Sequence, residues 1–328
     1  MNLLKECEGA KTIGISAHIR PDGDAIGSSM ALYLYMRKAF PKAQVKVFLE
    51  TPPDCFAHLK YLNDIDSDYV WEEDFDVFFA LDVASDRLGR AENFFLNAKK
   101  KINIDHHISN QNGCGDVNLV KPEVGSTAEV LFGLMEERYM DADIAVALYT
   151  GMIHDTGVFQ YSNTTPETLR IAAKLLEYDF PFSKIIEESF YQKTYVQNQL
   201  LAEALLASRC LLKNNCIVSA VGKETLEQYH AGASDLEGIV NQMRNTKGIS
   251  CAIFMYELSE TKDGLATYKV SMRSDEKVDV AAIASLFGGG GHKRAAGVTM
   301  TGSVQEITDR LLPHIEAQLK DDLACTMA

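Results

Sequence analysis

No uninterrupted apolar run in this 328-residue chain reaches the roughly 20 residues a membrane-spanning helix needs, which excludes a helical membrane protein. The opening stretch MNLLKECEGA lacks a basic flank followed by an apolar run, so no export signal is expected and the cytoplasm is the expected compartment. Cysteine is sparse and scattered, at positions 7, 55, 114, 210, 216, 251 and 325, with no Cys-x-x-Cys pair. An odd count without paired spacing argues against a disulfide framework and a structural zinc site, and favours reduced, mostly packed thiols. Positive charge is also short: Lys and Arg number 32 against 46 Asp and Glu, a net charge of −14. Duplex binding depends on neutralising many phosphates, so long nucleic acid is not an expected partner. A short phosphorylated ligand, held by a few arginines and bound metal, remains compatible with that charge, much of which belongs to a solvated surface. Internal repeats and low-complexity segments are absent as well.

What is present is apolar material for two cores. Hydrophobic residues make up 46% of the chain and charged residues 24%, the composition of a globular protein longer than one ordinary domain. The first half alternates strand-like apolar runs with amphipathic helical ones, which predicts an α/β domain built on a mostly parallel sheet flanked by helices. Strands are expected over 11–17, 45–49, 77–81 and 101–104, and helices over 25–40, 126–135, 144–153 and from Pro166 to about 177. The segment 185–207 reads as helical and connects the halves. Beyond it, strands over 216–221, 249–258 and 265–272 alternate with helices near 236–244, 280–286 and 304–320, a smaller α/β domain. The expected division is 1–188, a 189–207 connector and 208–328, with the active-site cleft between the two domains.

Four places in the first half put metal-competent side chains just after apolar segments: His18, Asp22 and Asp24; Asp82; Asp105, His106 and His107; and His154 with Asp155. Taken singly, each has an ordinary explanation as a turn, a helix cap or an incidental histidine. Taken together they are informative, because residues just beyond the carboxyl ends of parallel strands converge on one crevice. Imidazole and carboxylate without thiolate suit manganese or magnesium better than structural zinc.

The ordered set His18-x-x-x-Asp22-x-Asp24, Asp82, Asp105-His106-His107 and Asp155 resembles the DHH phosphoesterase superfamily. A fifth match, the stretch GGGGHKRAAG over 288–297, resembles the glycine-rich signature of the DHH-associated C-terminal domain, so the resemblance spans nearly the whole chain. Length, domain plan and the stretches Gly125-Ser126-Thr127, Asp155-Thr156-Gly157-Val158-Phe159 and Ser162-Asn163-Thr164-Thr165 are similar to the stand-alone bacterial NrnA-like branch. That resemblance implies a hydrolase acting on nano-RNA and other very short RNA or DNA oligonucleotides, on linear dinucleotides such as pApA and pGpG, and on 3′-phosphoadenosine-5′-phosphate (pAp). It implies two divalent ions, manganese first and magnesium as the alternative, with His18, Asp22 and Asp82 holding one and Asp24, Asp82, His106 and Asp155 the other.

By the same resemblance Asp82 bridges the ions, and His107 polarises the phosphate or protonates the leaving oxygen. Asp105 is read as the orienter of a ligand imidazole, since metal-bound histidines usually donate their second N–H to such a group. The glycine run removes every Cβ, so backbone N–H groups can approach a phosphate closely, Gly289 and Gly290 among them. His292, Arg294 and Arg273 add positive charge, arginine because its planar fork pairs with phosphate. Arg20, Arg87 and Arg244 stay outside the expected site. A manganese-dependent inorganic pyrophosphatase is the rival enzyme, disfavoured by the glycine-rich motif, and a RecJ-type exonuclease lacks room for its further domain. A non-catalytic nucleotide sensor is the rival of another class, disfavoured because every ligand position is occupied. Substrate preference stays open among these, and a homodimer is the commonest assembly.

Overall fold

The computed structural model describes residues 1–260 and 265–326, without the side chains of Ser85, Ser259, Glu260, His292 and 321–326. The chain divides into two compact units, Met1–Gln192 and Lys193–Ala328.

The first unit follows the order α1 (Leu3–Glu6), β1 (Thr12–Ser16), α2 (Gly23–Ala39), β2 (Gln44–Phe48), β3 (Val77–Leu81), α3 (Glu92–Asn97), β4 (Lys101–Asp105) and β5 (Val117–Val120). It continues with α4 (Thr127–Phe132), α5 (Ala142–Asp155), α6 (Pro166–Leu176), α7 (Phe182–Ile186) and a π-helical turn over Glu187–Tyr191. The five strands lie in the order β2-β1-β3-β4-β5, every pairing parallel. In such a sheet the inner strands are covered on both faces and read as continuous apolar runs. β3, Val-Phe-Phe-Ala-Leu, is buried throughout, whereas the edge strand β5 is only partly covered. Phe48, Phe75, Phe78 and Phe95 form an aromatic core on one side, and α2, α4 and α5 supply the larger core on the other.

α2 is buried along its whole first part, from Gly23 to Met36, and packs closely on α5. A Cβ on Gly27 would stand 2.5 Å from the Ala147 carbonyl oxygen, so that close crossing requires glycine there. The crossing fixes the end of α5 beside the start of α2, which is what brings Asp155 to Asp24.

The second unit contains α8 (Tyr195–Leu206), β6 (Arg209–Leu211), β7 (Cys216–Val221), α9 (Lys223–Gln228), α10 (Ile239–Arg244), β8 (Cys251–Glu260) and β9 (Ala266–Ser274). It ends with α11 (Val280–Ser285), β10 (Gly290–His292), β11 (Ala295–Thr301) and α12 (Val304–Thr326). Its six strands run β10-β11-β9-β8-β7-β6, antiparallel except for β7 with β8. One face packs on Ile283, Ile307, Leu311 and Ile315, the other on Leu200, Ala204, Ile239 and Met243. The segment read as a connector is two pieces: the π-helical turn closes the first unit, and α8, capped by Thr194 and Gln197, packs within the second. No helix among the described residues is long and apolar enough to cross a membrane.

Candidate active site

In the sheet order 2-1-3-4-5 the chain turns to opposite sides after β1, so the crevice for a ligand opens beyond the carboxyl ends of β1 and β3. His18 lies two residues past β1, Asp82 directly follows β3, and His106 and His107 directly follow β4. Asp22 is the N-cap of α2: its Oδ1 accepts from the N–H groups of Asp24 and Ala25, both at 3.1 Å. Asp24 sits one step into that helix, and Asp155 is the last residue of α5. Asp82 has φ 56°, a left-handed conformation uncommon for a residue with a Cβ, and one that recurs where a side chain must be aimed at a site.

These residues meet. His18, Asp22 and Asp82 form one group with ligand atoms within 4.8 Å of one another, Asp24, His106 and Asp155 a second, and Asp82, His106 and His107 a third. The carboxylate of Asp82 faces both sides. Its Oδ2 lies 3.6 Å from His18 Nε2, and its Oδ1 lies 3.5 Å from His106 Nε2 and 3.4 Å from His107 Nδ1. His106 Nε2 is also 2.9 Å from Asp155 Oδ2, and His18 Nε2 is 3.7 Å from Asp22 Oδ2.

The tautomers of two histidines follow from their partners. A backbone carbonyl can only accept, so Nδ1 donates in His18, to Ile19 O at 2.9 Å, and in His106, to Val124 O at 3.4 Å. Each ring therefore turns Nε2 toward the carboxylates, the arrangement of a metal-ligating imidazole. His106 Nε2 is buried and faces only carboxylate oxygens, and Asp24 and Asp82 are buried carboxylates. A buried anion needs a compensating positive charge. Among the described residues no lysine or arginine ion pair reaches either of them. The donor set thus fits divalent cations.

The electrostatics agree. Burial pushes the Asp24 carboxyl well above the usual range, and the Asp82 and Asp155 carboxylates push it further. Burial likewise raises Asp82. Burial opposes a charge on His18 and His106, yet the surrounding carboxylates overcome it and raise each imidazole to about 10. Binding a divalent ion among these groups would release protons.

The structure reassigns the partner of Asp105. Its Oδ1 accepts from His107 Nδ1 at 2.8 Å and from the backbone N–H groups of His106 and His107. The imidazole it orients is therefore His107, whereas the ligand-like His106 is set by the Val124 carbonyl. Asn110 donates to Asp105 Oδ2 at 2.7 Å and to Asn103 Oδ1, completing a buried chain that sequence reasoning missed. Its signal was faint: an asparagine in a loop is ordinarily a turn residue. His154 stands apart from the cluster. Its ring packs against Gly23, between Phe56 and Phe190, and Nε2 contacts Ser189 Oγ at 3.1 Å. The amide of Asn163 donates to the carbonyls of both Gly125 and Asp155, tying two approaches to the site.

In the second unit Arg273 lies on β9, opposite Ala295 of β11, and donates to Met272 O. Arg294 pairs with Glu276. Arg294, Arg244, Lys277, Ser274, Asp275 and Glu276 line a cavity of about 380 Å³. Arg244, set aside in the sequence as a helix end, does close α10 and also lines this cavity. The glycines divide in role. A Cβ on Gly289 or Gly291 would stand 2.4 Å from the Gly297 or Ala295 carbonyl oxygen, so those two are required by packing on β11. A Cβ on Gly288 or Gly290 would meet nothing within 4 Å, so packing does not require glycine at those two positions. The backbone of His292 ends β10, and its side chain lies outside the described residues. For Arg20 and Arg87 the main chain is engaged: Arg20 N–H donates to Glu50, and the Arg87 carbonyl accepts from Ile19.

Two sequence families account for most of the chain. Residues 12–152 match the DHH family, N-terminal domain, and residues 213–321 match the DHHA1 domain. With that pairing, and with a relative 30% identical over nearly its full length, the chain belongs to the DHH family. That relative is the bifunctional oligoribonuclease and PAP phosphatase NrnA of Thermus thermophilus, with 97% of this chain and 92% of that one aligned. NrnA of Bacillus subtilis is 27% identical over 94% of this chain and 95% of its own. The crystal structure of an exopolyphosphatase-related protein from Bacteroides fragilis matches with a TM-score of 0.87 at 27% identity, covering 97% of this chain and 96% of that one.

Proposed function

We propose that this DHH-family phosphoester hydrolase cleaves very short oligonucleotides and linear dinucleotides such as pApA and pGpG to mononucleotides, and converts pAp to AMP. The observation that carries the reading is the Asp82 carboxylate with one oxygen toward His18 and the other toward His106. His18, Asp22 and Asp82 would hold one divalent ion and Asp24, Asp82, His106 and Asp155 a second, manganese being the first choice. Bound there, such ions supply Lewis-acid charge and lower the pKa of water to near neutrality.

The chain's own groups do the rest. His107, held by Asp105 through Nδ1, presents a fixed ring to the phosphate or the leaving oxygen. Arg273, Arg294 and His292, with the backbone of Gly289 and Gly290, bind the substrate's end. Arg294, Arg244 and Lys277 in the lining of the second unit's cavity, beside Asp275 and Glu276, and the room for a Cβ at Gly290 support that role. The names of the NrnA relatives support the substrate class, and the net charge of −14 favours small phosphorylated ligands over long duplex.

The test is Mn²⁺-dependent hydrolysis of pApA, pGpG, a five-nucleotide RNA, a 24-nucleotide RNA, pAp and pyrophosphate, beside His107→Ala. The expected result is rapid cleavage of the short oligonucleotides, with pAp turned over, pyrophosphate spared and activity lost in the variant. Turnover of pyrophosphate alone, or of none of the panel, overturns the reading.

A further inference from the structure

Thr127 is fully buried at the first position of α4, and it touches two of the carboxylates just described. Its backbone N–H donates to Asp24 Oδ2 at 2.6 Å, and its hydroxyl donates to Asp82 Oδ1 at 3.0 Å. The N–H contact satisfies an unpaired donor at the start of α4, but the hydroxyl contact is not needed to begin the helix. Ser126 already caps α4 by accepting from Glu129 N–H, and a threonine hydroxyl inside a helix commonly satisfies itself on a nearby backbone carbonyl. Here it reaches a carboxylate 45 residues away in sequence.

The choice of oxygen matters. Rotation about the last bond of an aspartate is soft, so the backbone of Asp82 aims the side chain without fixing which way its two oxygens face. A hydroxyl has one proton to give, and Thr127 gives it to Oδ1, the oxygen on the His106 side, leaving Oδ2 toward His18. We propose that Thr127 is a positioning residue for the two-ion centre, its hydroxyl setting the rotation of the shared Asp82 carboxylate so that each oxygen serves a different ion. The inference rests on the two-ion reading above.

The experiment is calorimetric titration of the metal-free full-length protein with MnCl₂, for wild type, Thr127→Val and Thr127→Ser, alongside thermal unfolding of each metal-free form. Valine keeps the shape and removes the donor; serine restores the donor. Wild type and Thr127→Ser should bind two ions per chain. Thr127→Val should keep one site and bind the other about 10–100-fold more weakly, the usual cost of losing a group that orients a ligand. If Thr127→Val does not fold, Thr127→Ala beside Thr127→Ser makes the same comparison. Two sites of wild-type affinity in the donor-less variant, or a serine variant no better than valine, would overturn the role of the hydroxyl. A wild type that binds no divalent ion overturns this inference and the functional reading together. Two ions bound without hydrolysis of any short oligonucleotide overturn the functional reading alone, and the Thr127 comparison still decides.

Discussion

A methyl group added at Gly23 would stand 2.1 Å from Cγ of the His154 ring, and this glycine separates Asp22 from Asp24. Gly23→Ala must therefore push α2 and the end of α5 apart. We expect a loss of about 1–3 kcal/mol in urea unfolding, the usual cost of overpacking, together with weaker Mn²⁺ binding. Wild-type stability in that variant would mean the ring moves aside freely. Asp105→Asn acts differently, because it loosens His107 while leaving the metal-facing atoms in place. We expect kcat to fall about 10–100-fold with divalent-ion binding unchanged, measured by steady-state kinetics beside titration. A metal affinity that collapses instead would make Asp105 a structural support of the whole centre. At this scale the sequence was informative about residue types and poor on pairings. The cluster of His18, Asp22, Asp24, Asp82, His106 and Asp155 was legible because each follows an apolar run. The partner of Asp105 was not, because which of two adjacent imidazoles turns back onto a carboxylate depends on backbone torsions past β4.

Among the elements, the parallel register of β1 and β3 is pinned by Asp76, just before β3. Its carboxylate takes the Lys99 ammonium at 2.7 Å and the N–H groups of Lys11 and Thr12. The Lys99 contact leads in drawing its pKa down to about 2 from 3.8, with the Lys11 N–H next. A carboxylate lowered on folding stabilises the fold above the unfolded value and loses that contribution as pH falls through the folded one. Asp76→Asn should therefore be less stable than wild type at pH 7, with the gap closing between pH 3.8 and about 2. Denaturant unfolding across that range checks it; a gap independent of pH would show that the charge is irrelevant. The inner strands were readable because burial on both faces leaves them apolar throughout. β5, β6 and β10 were not, being three or four residues long and so too short to show a periodic pattern. The glycine run misled in part: half of it answers to the β10–β11 packing, a contact made across a hairpin that no local pattern announces.

At the scale of the whole molecule, each unit closes its own core, and the single tryptophan, Trp71, belongs to the first, stacked on Phe75 at 4.8 Å. Tryptophan fluorescence therefore reports the first unit by itself. Chains of two domains commonly depart from two-state unfolding. Mn²⁺ at one hundred times its Kd should stabilise the unit that binds it by about 2.7 kcal/mol. We expect the fluorescence midpoint in urea to rise with Mn²⁺ while part of the far-ultraviolet dichroism change stays where it was. A dichroism curve that moves as one with the fluorescence would contradict this. Two domains were legible from length and from the changed pattern past the middle of the chain. The π-helical turn and the capped start of α8 were not, since both lie within one polar helical pattern.

Asp22 carries a consequence of another kind. One of its oxygens starts the longest helix of the first unit, and the other faces His18. An ion arriving at that carboxylate would be felt along α2, and α2 is the buried spine against which α5 lies. Metal scarcity would then register in this protein as slackness as well as lost turnover: the scaffold would sense the ion through the same atom group that the chemistry uses.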